Sequence, residues 1–173
     1  WIDKVHAMHP DCTFSVETKI DGLSMSLRYV KEADGKLHLQ LAETRGDGLI
    51  GEDVTANARV VGDVLQVIDL PYDSLELRGE VYMSHEDFEK YNEEQERLEK
   101  KTAANPRNLA AGTLRQLDTS ITKKRGLKMF IFNVQDGPDV IMESHGRGMD
   151  ILKAAGVPVV YHKICKTKEE VVR

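Results

Sequence analysis

Cysteine is scarce in this sequence, with 2 in 173 residues. Cys12 and Cys165 stand far apart without Cys-x-x-Cys spacing, which argues against both a disulfide framework and a zinc site built from them. Two free thiols in a reducing, cytoplasmic setting are expected. An excess of positive charge is also missing. The formal net charge is -5, so no electrostatic footprint for nucleic acid covers the whole chain. Any polynucleotide contact has to come from a local basic patch or from parts outside this segment. No apolar run reaches the roughly 18 residues that span a bilayer, and no signal peptide is visible, so no membrane contact is expected. His6, His9, His38, His85, His145 and His162 show no metal-ligand spacing, and no metal site is assigned to this chain. Repeats, low-complexity tracts and linkers are absent too. The length suits one domain with a substantial core, expected as a monomer. The chain opens on Trp1 rather than Met and closes within an expected helix, which predicts a piece of a longer protein.

What is present is alternation. Over residues 13–20, Phe14, Val16, Thr18 and Ile20 point one way and Ser15, Glu17 and Lys19 the other, as in a half-buried strand. Asp21-Gly22 is a turn dipeptide. Beyond it Leu23, Met25, Leu27 and Tyr29 alternate with Ser24, Ser26 and Arg28. Asp34-Gly35 signals a hairpin, and Leu37, Leu39 and Leu41 mark a third strand. Three sequential strands joined by short turns predict an antiparallel sheet. A glycine-rich loop at 44–51 leads to a short helix at about 52–59. A strand over 75–83 turns Leu75, Leu77 and Val81 inward and leaves Glu76, Arg78 and Glu80 on its polar side.

Ser84 can cap the next helix, with Phe88, Tyr91, Gln95 and Leu98 on one stripe and the charged run 93–101 as a solvated face. Asn105-Pro106 reads as the N-cap and first residue of another helix, where Ala110-Ala111-Gly112 permits close packing. Lys123-Lys124-Arg125 forms a small basic patch in a turn, solvated or available to DNA. A strand over 127–134, a helix near 144–155, a short strand over 157–161 and a helix from Thr167 complete the pass. The fold class is α+β: antiparallel sheets with helices packed around them.

Lys19-Ile20-Asp21-Gly22 carries the clearest chemistry. Alone, a surface lysine beside a turn explains these residues as well as a nucleophile does. A nucleophilic amine must be neutral, and at an ordinary pKa near 10.4 only about 0.04% is neutral at pH 7. Burial or neighbouring cations lower that value, the usual route to a reactive lysine. Arg45, in the glycine-rich loop, can reach a phosphate or ribose, or be an ordinary loop arginine. Glu80 can bond a ribose hydroxyl, or pair with Arg78 or a cross-strand lysine. Arg107 and Arg115, if both are helical, project about 80° apart and roughly 12 Å along the axis. Such a spacing can track a phosphate backbone or simply be solvated.

The segment Glu17-Thr18-Lys19-Ile20-Asp21-Gly22 resembles the first motif of the covalent nucleotidyltransferases: DNA ligases, RNA ligases and mRNA-capping enzymes. Three further segments resemble the bacterial NAD-dependent DNA ligases. The first is Thr44-Arg45-Gly46-Asp47-Gly48 followed by Gly51-Glu52-Asp53-Val54-Thr55. The second is Leu77-Arg78-Gly79-Glu80-Val81. The third is Ala104-Asn105-Pro106-Arg107-Asn108 with Ala110-Ala111-Gly112 and Leu114-Arg115-Gln116-Leu117-Asp118. Their order and approximate spacing match, and the likeness covers nearly the whole chain.

The resemblance implies that Lys19 is the catalytic nucleophile that becomes linked to AMP. Glu17 then lies in the adenine and nucleotide pocket, Arg45 in the nucleotide site and Glu80 near the ribose. Arg107 and Arg115 engage DNA, and Asp21 has a supporting role. Residues 1–173 are then part of an adenylation domain truncated at both ends. The parent seals nicks in duplex DNA during replication and repair, using NAD as AMP donor, releasing nicotinamide mononucleotide and requiring Mg²⁺.

Family parts outside this segment include the helical module for the nicotinamide mononucleotide half, the Asp-Gly-Val-Val-Ile-Lys motif and a later lysine motif. An OB-fold, a four-cysteine zinc module, a helix-hairpin-helix region and a BRCT domain also lie elsewhere. Zinc is therefore expected in the parent and not here, and the segment alone is expected to lack complete ligase activity. An ATP-dependent ligase or capping enzyme shares Lys-x-Asp-Gly but is not expected to carry the other segments. A non-catalytic nucleic-acid-binding domain could use Arg107, Arg115 and the 123–125 patch, against the acidic balance.

Overall fold

The computed structural model describes residues 1–46 and 51–172, so Asp47 and Gly48 of the glycine-rich loop lie outside the described residues. The elements are α1 (Ile2–Met8), β1 (Phe14–Glu17), β2 (Leu23–Lys31), β3 (Leu37–Thr44), α2 (Thr55–Ala58), β4 (Val67–Ile68) and β5 (Ser74–Tyr82). They continue with α3 (His85–Arg97), α4 (Pro106–Leu114), α5 (Thr119–Lys124), β6 (Lys128–Asp136), α6 (Asp139–Met142), α7 (His145–Ala154), β7 (His162–Cys165) and α8 (Lys168–Val172). A five-stranded antiparallel sheet has the order β4-β3-β2-β5-β6, and β1 and β7 form a separate two-stranded antiparallel sheet. The fold is α+β, as expected. Among the described residues no helix is long and apolar enough to cross a membrane.

Period-two alternation builds the large sheet. Met25, Leu27 and Tyr29 of β2, Leu75, Leu77 and Val81 of β5, and Met129 and Ile131 of β6 are buried on one face. Helices α2, α4 and α7 supply Ala58, Leu109, Ala110, Leu114, Met149 and Leu152 to the same core. The alternate positions form a polar face, on which Ser24 pairs in register with Glu80, Ser26 with Arg78 and Arg28 with Glu76. The hairpin at Asp34-Gly35 forms as read, with Gly35 at φ 78° and the Lys36 amide donating to Asp34 Oδ1 at 3.0 Å. The helix starts also hold. Ser84 Oγ accepts from the Asp87 amide at 3.1 Å, and Asn105 Oδ1 accepts from the Asn108 amide at 2.8 Å ahead of Pro106.

Several expectations need correction. The first three strands do not form one sheet. β1 ends at Glu17 and pairs with β7 far along the chain, Phe14 opposite Cys165 and Glu17 opposite His162. Residues 18–22 then cross to the large sheet instead of turning back. Gly22 makes that crossing possible, because a Cβ there would lie 2.0 Å from the Val81 carbonyl oxygen. The strand expected over 157–161 reduces to a single parallel bridge, Ile131 to Val159, and the strand proper starts at His162. Of the expected stripe on α3, Phe88 and Tyr91 pack on the core while Leu98 is exposed. In the small-residue run, Ala110 is buried, but Gly112 faces open space and permits no special approach.

The 123–125 patch is not a turn. It is the last turn and C-cap of α5, a helix too short and polar to announce itself by periodicity. Two of its cations have partners within the protein: Lys124 pairs with Glu94 at 2.9 Å, and Arg125 lies over the Tyr91 ring and donates to Thr113 Oγ1 at 2.8 Å.

Candidate active site

Lys19 sits four residues before the start of β2 and two after the end of β1. The Thr18 amide donates to the Tyr161 carbonyl at 3.1 Å, which ties the start of this crossing segment to the residue just before β7. A cleft of about 290 Å³ opens beside it, lined by Glu17, Thr18, Lys19, Ile20, Glu80, Phe132 and Val160. Glu17 and Lys19 face the same cleft although only Glu17 belongs to the strand, and Lys19 is exposed.

Glu80 reaches the cleft from the polar face of β5. It pairs neither with Arg78 nor with a lysine; its Oε1 accepts from the Gly22 amide at 3.2 Å. Burial raises its pKa above the ordinary 4.5, against the Gly22 hydrogen bond and the positive charges of Arg107 and Lys19. Arg78 instead donates to Ser26 Oγ at 3.2 Å, and Ser26 in turn donates to Gln135 at 2.6 Å. Arg107, near the start of α4, pairs with Asp21 at 3.5 Å, so it belongs to the cluster around Lys19, Asp21 and Glu80.

Arg115 lies elsewhere. Helix α4 ends at Leu114 and Arg115 is its C-cap, so the two arginines do not repeat along one helix as expected. Arg115 pairs with Glu52 beside a second hollow lined by residues of the α2 and α4 ends, including Thr55, Asn57 and Leu117. A buried network fixes that corner: Asn57 Nδ2 donates to the Gln116 carbonyl at 2.7 Å, and the Thr122 hydroxyl lies 2.7 Å from Asn57 Oδ1. Arg45 is exposed just past β3, at the border of the undescribed loop, and does not line the Lys19 cleft.

Phe132, Val160, Ser15 and His145 were not singled out from sequence. Phe132 had a signal, since it is an aromatic at a polar-face position of its strand. The register between β5 and β6 shifts from Arg78 opposite Asn133 to Gly79 opposite Ile131, which leaves Phe132 as the extra residue of a bulge. Such bulges re-aim a side chain, here into the cleft. His145 contacts Glu17 from 128 positions away, and no local pattern reveals it. The cleft thus combines an amine, two carboxylates, an aromatic ring and a nearby guanidinium. This set can hold an aromatic base, accept from ribose hydroxyls or amines, and offset charge on a phosphate.

Comparison with known proteins gives the family of the chain. A family model described as the NAD-dependent DNA ligase adenylation domain matches residues 1–173. A DNA ligase of Jannaschia sp. (strain CCS1) is 47% identical over 161 residues, covering 92% of this chain and 21% of the relative. The DNA ligase of Clostridium kluyveri is 46% identical over 159 residues, 91% of this chain and 23% of the relative. That of Lactobacillus helveticus is 52% identical over 137 residues, 79% of this chain and 20% of the relative. The chain therefore spans about a fifth of the length of the curated relatives it matches. With a family model matching its whole length and DNA ligases among its relatives, this chain belongs to the NAD-dependent DNA ligase adenylation domain family.

Proposed function

We propose that this chain is part of the adenylation domain of an NAD-dependent DNA ligase and that Lys19 is its nucleophile. The observation that supports this most is the convergence of Glu17, Lys19, Glu80 and Phe132 on one cleft from separate parts of the chain. In the proposed step the neutral Lys19 amine attacks the α-phosphorus of NAD. A P–N bond forms, the bond to nicotinamide mononucleotide breaks, and the amine proton is lost. Phe132 offers a face for the base, Glu17 and Glu80 offer acceptors for base and ribose, and Arg107 offsets phosphate charge. Arg45 completes the nucleotide site from the adjoining loop.

AMP then passes to the 5′-phosphate of nicked duplex DNA, and the 3′-hydroxyl displaces it. Arg107 and Arg115 are the proposed DNA contacts. Both are held by exposed carboxylates, Asp21 and Glu52, and exposed pairs of this kind are worth only about 0–1 kcal/mol, so a DNA phosphate can replace either partner. Among the described residues no group of three or more His, Cys, Asp or Glu can hold a metal. Magnesium in this proposal arrives on nucleotide phosphates and no step is assigned to it. Zinc belongs to other parts of the parent. A cytoplasmic monomer acting in replication and repair completes the reading.

The test is to incubate the intact protein carrying this segment with Mg²⁺ and either NAD or ATP. A protein–AMP adduct from NAD, and none from ATP, is expected. Adduct formation from ATP alone would move the protein to another branch of the superfamily.

A further inference from the structure

Glu17 is held by two donors that the proposed chemistry does not use. Ser15 Oγ donates to Glu17 Oε1 at 2.8 Å, and His145 Nε2 contacts the same oxygen from the first turn of α7. Among the described residues Oε2 has no hydrogen-bond partner. The carboxylate is three-quarters buried, with 24% of its side chain exposed, so a ligand reaching it meets few competing waters. α7 is itself fixed to the same sheet at a second point. His162, the register partner of Glu17, bonds Asp150 at 3.1 Å, and Gly146 lies so close to Ile164 that a Cβ would sit 3.0 Å from it. His145 is therefore presented to Glu17 by a helix that is pinned against β7.

We infer that His145 and Ser15 are positioning residues for Glu17: by engaging Oε1 they leave Oε2 as the acceptor for an N–H group of the bound base, which biases the cleft toward a 6-aminopurine. This rests on the reading of Glu17 as a nucleotide-site residue. A carboxylate is acceptor-only, so it favours an exocyclic amine and disfavours a carbonyl at the same place. Without the two donors, Glu17 rotates and its selectivity falls. His145 touches no substrate in this account and acts only through Glu17.

The test measures adduct formation by the intact protein from NAD and from nicotinamide hypoxanthine dinucleotide, in which a carbonyl replaces the 6-amino group. Wild type favours NAD. His145→Leu narrows that preference about tenfold, as expected for loss of one hydrogen bond to a charged group. The change falls mainly on KM for NAD, with kcat less affected. His145→Gln, which keeps a donor at similar reach, restores the preference, and Ser15→Ala gives a smaller narrowing. A merely structural role would lower both donors in parallel, without rescue by glutamine. An unchanged NAD-to-hypoxanthine ratio in His145→Leu overturns the inference. If that variant does not fold, an unchanged ratio in Ser15→Ala does so. Failure of wild type to form any adduct from NAD overturns the nucleotide-site reading, and this inference with it.

Discussion

The five-stranded sheet is joined to its covering helices by many apolar side chains, whereas the two-stranded sheet of β1 and β7 meets α7 through two polar contacts and one close apolar approach. In the first, Leu77 and Met25 are fully buried at 0% exposure. In the second, Phe14 and Cys165 are buried, but Ile164 is 48% exposed. Its links to α7 include the His145–Glu17 and His162–Asp150 contacts and the close approach of Ile164 to Gly146. The cleft lies between these two bodies. Glu80 and Phe132 come from the well-packed side, and Glu17 and Lys19 from the lightly fastened side. One wall of the cleft is thus set by the core, while the wall bearing Lys19 rests in part on contacts a solvent molecule or ligand can exchange. That arrangement suits the role proposed for Lys19, which is to meet one substrate and then release AMP to another.

The largest expected effect tests this contrast directly. Leu77→Ala should lower unfolding free energy by about 2–5 kcal/mol, the usual range for emptying a buried leucine site. Ile164→Ala should change it by about 0.5 kcal/mol or less. Denaturant titration of both variants measures the difference; equal losses would mean that the small sheet is as much a part of the core as the large one.

Gly22 is where the two bodies meet. Gly22→Ala places a methyl group against the Val81 carbonyl, at a separation that backbone must move to relieve. Displacing Lys19 by even an ångström should slow adduct formation by about 10²-fold in the intact protein. A normal single-turnover rate would show that the crossing segment does not fix Lys19.

Glu80→Gln probes the well-packed wall by pH. Because burial raises the folded-state pKa of Glu80 above 4.5, the folded state holds this proton more tightly than the unfolded chain. That contribution favours folding below 4.5 and is lost as pH rises through the raised value. The melting temperature of Glu80→Gln relative to wild type should therefore rise from acid to neutral pH. A flat difference would show that the carboxyl is as well solvated when folded as when unfolded.

The smallest effect is expected at the far corner. Arg115→Ala should leave adduct formation from NAD intact and weaken binding of the intact protein to nicked duplex, reducing the salt slope by about 1. An unchanged slope would remove Arg115 from the DNA contacts.

The contrast between the sheets also explains what could be read from sequence. Strands β2, β3, β5 and β6 have one buried face, so Met25-Leu27-Tyr29 and Leu75-Leu77 announce themselves by alternation. Asp34-Gly35, Ser84 and Asn105-Pro106 are local signals and mark their turn and caps correctly. The pairing of β1 with β7 depends on residues at opposite ends of the chain and has no local trace. Helix α5 was hidden by its polar residues Thr119–Lys124, and the end of α4 at Leu114 turned Arg115 away from Arg107. In the site, motif likeness pointed to Glu17, Lys19 and Glu80, which do meet. Phe132 stands out only as an aromatic on the polar face of β6, with the bulge that aims it hidden from sequence, and His145 arrives on a distant helix that spacing does not reveal.

Lys19 is proposed to carry the AMP. The measurement is peptide mapping by mass spectrometry of the intact protein after incubation with NAD and Mg²⁺, for wild type and Lys19→Ala. An AMP adduct is expected on the peptide containing Lys19 in wild type and none anywhere in the variant. An adduct on another residue, or one that survives Lys19→Ala, would contradict it.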